Sequence, residues 1–523
     1  MYSEGIFGAP SPKSGPKVVW RWVLLCMVLG TTGALVICGF LAGLGNYVMR
    51  QQNPSLMMEA EFVPEAQVID SQKIRLCQGK RIYIYDLPRQ FNLDILDGYC
   101  ENEPVICPRF MNSGLGFELH HVMDPIETWY RTDQFSMDIL FHERIRKYPC
   151  LTEDPDSADL YYAPYYVGWD VLEYLWRPEI QLRDKMMQRF IGWMMAQPSF
   201  NRLQGHKHLL VLGRIVWDFD RKEETSRWGN SLLSAPELEN VTAVMLERNP
   251  SINPEKEMAV PYPTAFHPRS DWELMLWKKK VATSPRNGSL VSLAATPRRD
   301  KTKGSVMYYF LRDTLFDQCN KSEVCTVLMC DQINCESNPH LVTSLLLQST
   351  FCLQPPGDSP TRKGVFDCLV AGTIPVFFTP LSAHQQYLWH LPPNGNSYSV
   401  LFDEVEVRDN GFDVIAALKE IPASRIERMQ RTIVEDILPA VVYDHPDRDP
   451  EKKSRDAIDR ILDHLFSRDH QTREDKDSAN KSNRYMEIPE TAVYPMITVG
   501  NNSGLGRHHV IVQAAHQAVI IVL

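Results

Sequence analysis

Three side chains within residues 349–378 have the types and spacing to bind a charged ligand: Arg362, Lys363 and Asp367. The two cations fall at the start of a predicted helix, where free backbone N–H groups and the helix dipole favour an anion. Asp367 follows one turn later and is placed to accept hydrogen bonds from a sugar hydroxyl. This pattern suits a nucleotide diphosphate. The alternative is an ordinary strand–helix–strand unit with a solvated Arg-Lys pair.

Local signals predict the elements that position these residues. Residues 349–353 form a short apolar strand, and the Pro-Pro-Gly run at 355–357 ends it and opens a loop. Asp358, Ser359 or Thr361 can cap the next helix, with Pro360 in its first turn. Gly372 then ends the helix, and 374–378 is a second buried strand.

The run from FCLQPPGDS to AGTIPVFF resembles the nucleotide-sugar motif of exostosin-like glycosyltransferases, most of all the plant xyloglucan galactosyltransferase branch. Thr373 stands where many members have Cys. The YDLP run at 85–88 and PYPTAFHP at 261–268 resemble two further family segments. The resemblance implies an α/β protein of GT-B type, with two Rossmann-like domains facing one another across a cleft. It also implies a nucleotide-sugar site formed by Arg298, Gly357, Asp358, Ser359, Thr361, Arg362, Lys363 and Asp367.

Two segments depart from the family pattern. In ATPRRD (295–300), Arg298 matches the family's Arg, but Ala295 replaces a Gly often found there. The chain has Gly-His-Lys-His at 205–208 where the family commonly shows Gly-Arg-Asp-His, so that Asp has no counterpart here.

Composition excludes some classes of protein. A chain of 523 residues with 44% hydrophobic content can bury the cores of two domains. Its net charge of −10 argues against a nucleic-acid or polyanion binder. Of the 12 cysteines, the four between Cys319 and Cys335 lack the paired spacing of a zinc site. Disulfides in an oxidising lumen are the better interpretation for some of the 12, with the pairing left open.

The N-terminal region predicts a membrane anchor. No charged residue occurs in 22–49, which is long enough for one spanning helix, and Lys13, Lys17 and Arg21 precede it. The positive-inside rule then places the bulk of the chain in the lumen. A cleaved signal peptide is the alternative. Sequons at Asn240, Asn287 and Asn320, with two more at Asn480 and Asn501, fit that location.

Strand–helix alternation predicts two parallel sheets. In the first half we expect a strand near 81–88, a helix at 135–145, a strand at 158–176 with a turn at Gly168, and a strand at 208–216. In the second half we expect strands at 290–295 and 324–329, helices at 304–318 and 340–348, and later helices at 412–419 and 424–465. The predicted organisation is a cytosolic tail (1–21), anchor (22–49), stem (50–76), acceptor domain (77–280), nucleotide-sugar domain (281–422), helices packing back on the first domain (423–467) and a disordered tail (468–523).

Asp218 is the predicted catalytic base, since it ends a strand at the edge where ligands bind in open α/β sheets. It also matches an Asp in the family's GRITWDF-like run. An Asp that only caps the next turn is the alternative, and Asp170 and Glu118 are further candidates. Asp218 and Asp220 form a DxD, but the resemblance implies that Arg, Lys and helix dipoles stabilise the diphosphate. We therefore expect no essential metal and no cofactor.

Aromatic side chains near the predicted loops of the first domain could stack on the acceptor's sugar rings. The predicted acceptor site contains Tyr166, Trp169, Asp170, Trp217 and Trp228. Each aromatic could instead belong to the core.

The resemblance implies a Golgi type II membrane enzyme. It would transfer a hexose, most simply galactose from UDP-galactose, to xylosyl side chains of xyloglucan with inversion. Its partners would be the UDP-sugar, the polysaccharide, the Golgi membrane and other Golgi glycosyltransferases. The alternatives are another donor, such as UDP-galacturonic acid or UDP-arabinose, and a non-catalytic scaffold of a polysaccharide-synthesising complex.

Overall fold

The computed structural model describes residues 77–222, 228–297 and 306–478. The predicted anchor at 22–49, Arg298, Asn480 and Asn501 lie outside these ranges. Within them, no helix has the length and apolar character needed to cross a membrane.

Two five-stranded parallel sheets and one short antiparallel hairpin form the framework. The strands are β1 (Ile82–Ile84), β2 (Phe117–Glu118), β3 (Tyr130–Arg131), β4 (Leu160–Tyr162), β5 (His208–Ile215), β6 (Thr242–Glu247), β7 (Glu257–Ala259), β8 (Ser289–Ala295), β9 (Cys325–Met329), β10 (Ser349–Leu353), β11 (Ile374–Phe377) and β12 (Val400–Leu401).

The first sheet has the order β1-β4-β5-β6-β7, and the second has the order β12-β11-β10-β8-β9. Their central strands are apolar because both faces of each sheet are covered. In the second sheet, β8 lies between β9 and β10, so the connections from β8 and β10 leave in opposite directions. Such a switch in strand order opens a crevice at the carboxyl ends of the strands, where open α/β sheets bind ligands.

Helices cover both sheets. They are α1 (Leu93–Asn102), α2 (Met137–Arg146), α3 (Val167–Tyr174), α4 (Ile180–Met195), α5 (Pro198–Leu203), α6 (Asp271–Thr283), α7 (Val306–Asn320), α8 (Cys330–Ile333), α9 (Pro339–Leu347), α10 (Lys363–Val370), α11 (Glu404–Asp409), α12 (Val414–Lys419), α13 (Ala423–Thr432), α14 (Leu438–Val441) and α15 (Ala457–Ser478).

Two predicted elements were wrong. The strand expected at 158–176 is only Leu160–Tyr162, because Pro164 ends it and the next apolar residues form α3. The segment expected to be helical over 424–465 is interrupted. A π-helical turn over Ile433–Ile437 precedes Pro439 of α14, and a loop with turns over 442–456 leads to α15. That last helix reaches Ser478, beyond the boundary expected at 467.

The two halves share one hydrophobic core. Its buried members include Ile82 and Trp129 from the first half and Phe366 from the second. Polar contacts also cross the seam, since the Tyr387 hydroxyl donates to the carbonyl of Leu246 at 3.0 Å. Apolar packing and hydrogen bonds therefore both join the two halves.

Ten cysteines form five disulfides: Cys77–Cys150, Cys100–Cys107, Cys319–Cys325, Cys330–Cys335 and Cys352–Cys368. The expectation of disulfides is confirmed, and the structure supplies the pairing. The sequon residues Asn240, Asn287 and Asn320 are all exposed.

Candidate functional site

A cavity of about 730 Å³ lies at the carboxyl ends of β8 and β10, at the switch in strand order. Its walls come from the loops after these strands, the first turn of α10 and the segment between α8 and α9. Gln134 is the lining residue from the first half. The charged side chains that line the cavity are Arg312, Glu336, Arg362, Lys363 and Asp367.

Lys363 and Asp367 face the cavity as an ion pair. The Lys363 ammonium donates to Oδ1 of Asp367 at 2.6 Å, one turn along α10. Both side chains are largely covered, with 17% and 16% exposure. The pair preorganises an ammonium and a carboxylate at the helix N-terminus, where an anion is favoured.

Arg362 is the N-cap residue of α10, and its guanidinium lies against Gly357. A Cβ at position 357 would lie 1.3 Å from Nη2 of Arg362, so the close approach requires glycine. The predicted caps were wrong, because α10 begins at Lys363 and no side chain caps it. Asp358 is exposed in the preceding loop.

Ser359 and Thr361 bind a partner that sequence reasoning missed, Glu247 at the end of β6. Oε2 of Glu247 accepts from Ser359 Oγ at 2.7 Å and from Thr361 N at 2.9 Å, and it also accepts from Thr361 Oγ1. Oε1 accepts from Trp217 Nε1 at 2.7 Å. Glu247 is 1% exposed. Ser359 and Thr361 thus tie the loop between β10 and α10 to the first sheet. The one sequence signal was a carboxylate at the end of an otherwise apolar strand.

Arg312 connects the two loops that frame the cavity. Its Nε donates to the carbonyl of Pro356 at 3.1 Å, and its Nη1 donates to the carbonyl of Thr296 at 3.3 Å. The side chain is buried. This cation therefore joins the loops that follow β8 and β10.

Comparison with known proteins identifies the family, because the Exostosin GT47 domain model matches residues 76–416. The chain belongs to the exostosin GT47 family. It is 37% identical over 410 residues to the Arabidopsis thaliana protein named Xyloglucan galactosyltransferase MUR3, with 77% of this chain and 64% of that protein covered. It is 38% identical over 397 residues to Xyloglucan-specific galacturonosyltransferase 1 of the same plant, covering 75% and 57%.

The chain therefore spans less than two thirds of the length of these two relatives. A crystal structure of Arabidopsis thaliana UGT89C1 complexed with UDP covers 74% of this chain and 99% of its own at 11% identity. The TM-score of that superposition is 0.28, too low to assign a fold. Every residue lining the cavity lies inside the GT47 match.

Asp218 of this GT47 domain is buried in an ion pair. Arg214 Nε donates to its Oδ2 at 2.6 Å, and Asp218 is 4% exposed. Burial raises the pKa of Asp218, and the Arg214 guanidinium opposes that rise. Asp218 is not among the described residues that line the cavity. Its DxD partner, Asp220, accepts from Ser234 and pairs with Lys222.

The other two candidate bases, Asp170 and Glu118, lie among groups that hold the fold together. Asp170 is 4% exposed and accepts from the Tyr165 hydroxyl at 2.6 Å, and burial raises its pKa to about 7. Glu118 belongs to the β2–β3 hairpin, where it is paired in register with Tyr130.

The aromatic residues of the predicted acceptor site divide into two groups. Tyr166 and Trp169 are 1% exposed and pack in a buried cluster, so neither ring can stack on a sugar. Trp217 and Trp228 are 39% and 37% exposed. Trp176, which sequence reasoning missed, is 68% exposed and lies 5.5 Å from Trp228 between ring centroids. The exposed indoles are the ones available to an acceptor.

Proposed function

We propose that this GT47 protein is an inverting hexosyltransferase of GT-B type that transfers galactose from UDP-galactose to xylosyl side chains of xyloglucan. The observation that carries the proposal is the Lys363–Asp367 pair in a cavity at the strand-order switch. The relationship to a named xyloglucan galactosyltransferase supports the choice of donor and acceptor. The two parallel sheets, one in each half, support the GT-B assignment.

In this mechanism, Arg362 and Lys363 hold the diphosphate at the start of α10, and Arg298 adds a third cation. Asp367 binds hydroxyls of the ribose or the donor sugar. Negative charge builds on the diphosphate as its bond to the anomeric carbon breaks, and preorganised cations stabilise that charge. The reaction then needs no essential metal and no cofactor.

Transfer of galacturonic acid is a second candidate, favoured by the 38% identity to a protein named as a galacturonosyltransferase. UDP-arabinose is a further donor to test. Galacturonic acid differs from galactose by a carboxylate in place of a hydroxymethyl group, so a panel of UDP-sugar donors separates the two activities.

We also propose that the protein is a single-pass type II protein of the Golgi membrane with its catalytic part in the lumen. Five disulfides and three exposed sequons support an oxidising compartment.

The test uses the full-length chain in detergent with xyloglucan oligosaccharides, a panel of UDP-sugars and EDTA. We expect a mass increase of one hexose with UDP-galactose. Lys363→Ala should lower kcat/KM by about 10² to 10³, the effect of losing one preorganised charge-stabilising donor. Lys419→Ala, at an exposed lysine, is the control and should match the wild type. A folded wild type that transfers no sugar would contradict the proposal and favour the scaffold.

A further inference from the structure

A carboxylate that sequence reasoning did not select lies in the cavity wall. Glu336 follows Cys335, whose disulfide with Cys330 closes the short segment between α8 and α9. Its side chain is 45% exposed and lines the cavity with Lys363 and Asp367. A ligand in the cavity can therefore reach the Glu336 carboxylate, whereas Asp218 is buried against Arg214.

A second carboxylate, Asp133, supports Glu336 from the first half of the chain. The Asp133 side chain is 1% exposed. Its Oδ1 accepts from the backbone N–H of Phe135 at 2.8 Å, and its Oδ2 accepts from Nη1 of Arg109. The same Nη1 lies 3.7 Å from Oε1 of Glu336. Arg109 thus joins the buried carboxylate of Asp133 and the half-buried carboxylate of Glu336 across the boundary between the two halves.

The groups around Glu336 shift its pKa upward, which makes it a stronger proton acceptor than an ordinary carboxylate. Burial raises the pKa of Glu336, and the neighbouring Asp133 charge and a hydrogen bond with Asp133 raise it further. Arg109 and Lys363, the cations that face it from the first half and from α10, lower it. A general base works best when its pKa approaches the operating pH.

We propose that Glu336 is the catalytic base that deprotonates the acceptor hydroxyl, and that Asp133 and Arg109 position it. This inference rests on the proposed glycosyl transfer. The Glu336 carboxylate takes the hydroxyl proton while the hydroxyl oxygen bonds to the anomeric carbon. The bond from that carbon to the diphosphate breaks, and UDP leaves with the electron pair. The proton then passes from Glu336 to water. Glu336 replaces Asp218 in this role.

The test measures kcat, KM and their pH dependence for the full-length chain with UDP-galactose and xyloglucan oligosaccharides, and UDP affinity by calorimetry. Glu336→Gln should lower kcat by about 10² to 10⁴, the range for losing a general base. Its UDP affinity and Tm should match those of the wild type, because the base acts on the acceptor. Glu323→Gln, the same change at an exposed site, is the control.

Asp133→Asn tests the role of Asp133 through the pH dependence of kcat/KM, which would not change if Asp133 had only a structural role. Removing the Asp133 charge lowers the pKa of Glu336, so the acid limb of kcat/KM should shift to lower pH by roughly one unit. Three results would overturn the inference: an active Glu336→Gln, loss of UDP binding in that variant, or an unmoved acid limb in Asp133→Asn. A folded Asp218→Asn that alone abolishes transfer would return the base role to Asp218. A wild type without transfer contradicts the proposed function as well, which separates the two failures.

Discussion

At the residue scale, Glu247 shows how one buried carboxylate can join two halves of a chain. Each of its oxygens accepts hydrogen bonds, and its donors come from the first half through Trp217 and from the second through Ser359 and Thr361. Hydrogen bonds to a charged group contribute more than neutral ones, and a buried donor left without a partner is costly. The loop that carries Arg362 is therefore anchored on the opposite sheet.

Glu247→Ala should lower the free energy of unfolding by about 3 to 5 kcal/mol, because it leaves several buried donors unpaired. Urea unfolding of the purified protein measures the loss. Glu427→Ala, at an exposed helical position, should change stability by less than about 0.5 kcal/mol. Equal stability of the two variants would show that Glu247 is not an anchor.

Gly357 provides a second prediction at this scale. Gly357→Ala places a methyl group where the Arg362 guanidinium lies, so that side chain must move. UDP affinity should fall about tenfold or more, because one charge-assisted hydrogen bond contributes roughly 1.5 to 3 kcal/mol. Calorimetric titration with UDP measures this affinity. Gly192→Ala in α4, whose Cβ would meet nothing within 4 Å, should bind UDP like the wild type. Unchanged affinity in Gly357→Ala would remove Arg362 from the donor site.

At the element scale, α10 is held at its carboxyl end by a partly buried arginine, Arg286. Arg286 donates to the carbonyls of Ser349 and Ala371 at 2.8 Å, and to Oγ1 of Thr373 at 3.0 Å. Burial lowers the pKa of Arg286 to about 10. Thr373, the residue that departs from the family pattern, uses its hydroxyl to accept from Arg286 and to donate to Leu346 at 2.6 Å. Thr373 therefore joins Arg286 and Leu346 through its hydroxyl group.

Arg286→Met should lower the free energy of unfolding by about 2 to 4 kcal/mol, since several buried carbonyl groups lose their donor. Thermal unfolding compared with Arg428→Met, at an exposed arginine of α13, measures the difference. A Tm loss no larger than that of the control would contradict the anchoring role of Arg286.

At the scale of the whole molecule, ion pairs tie the last helix to the first half. Asp459 of α15 accepts from Arg144 of α2 at 2.6 Å and from Arg448 at 2.8 Å. Arg448 and Lys452 also pair with the buried Asp444. Although burial raises it, the pKa of Asp459 is held below its ordinary value by these arginines. The buried Asp456 lies 3.9 Å from Arg144 Nε, so the carboxylates of this contact are each paired with a cation.

Asp459→Asn should lower the free energy of unfolding by about 3 to 5 kcal/mol at pH 7, because it leaves arginines buried without their carboxylate. Asp463, also in α15, forms an exposed ion pair with Arg455. Asp463→Asn should therefore lower the free energy of unfolding by less than about 1 kcal/mol. Because the folded pKa of Asp459 is depressed, its contribution is present above about pH 4 and is lost as the pH falls through the folded pKa. The difference in the free energy of unfolding between the wild type and Asp459→Asn should therefore become smaller at acidic pH. A gap that stays constant with pH would contradict this.

The sequence by itself determined the order of the elements around the cavity and the cations that they carry. The strand expected at 349–353 is β10, and the strands expected at 290–295 and 374–378 agree with β8 and β11 to within one residue. These predictions succeeded because apolar runs and breaks at Pro or Gly are local signals. They determine the backbone conformation independently of the tertiary neighbours. Lys363 and Asp367 reach the cavity for the same reason, since helical spacing places them on one face.

The tertiary structure alone decided which polar residues meet. Ser359 and Thr361 were expected to cap a helix, but Glu247, 112 and 114 residues away, takes their hydrogen bonds. Tyr166, Trp169, Asp170 and Asp218 were expected at a ligand, but packing covers them. Glu336 and Asp133 come together through two different halves of the chain. Contacts this distant leave no periodicity in the sequence, because they depend on how two sheets pack and not on the preference of any one segment.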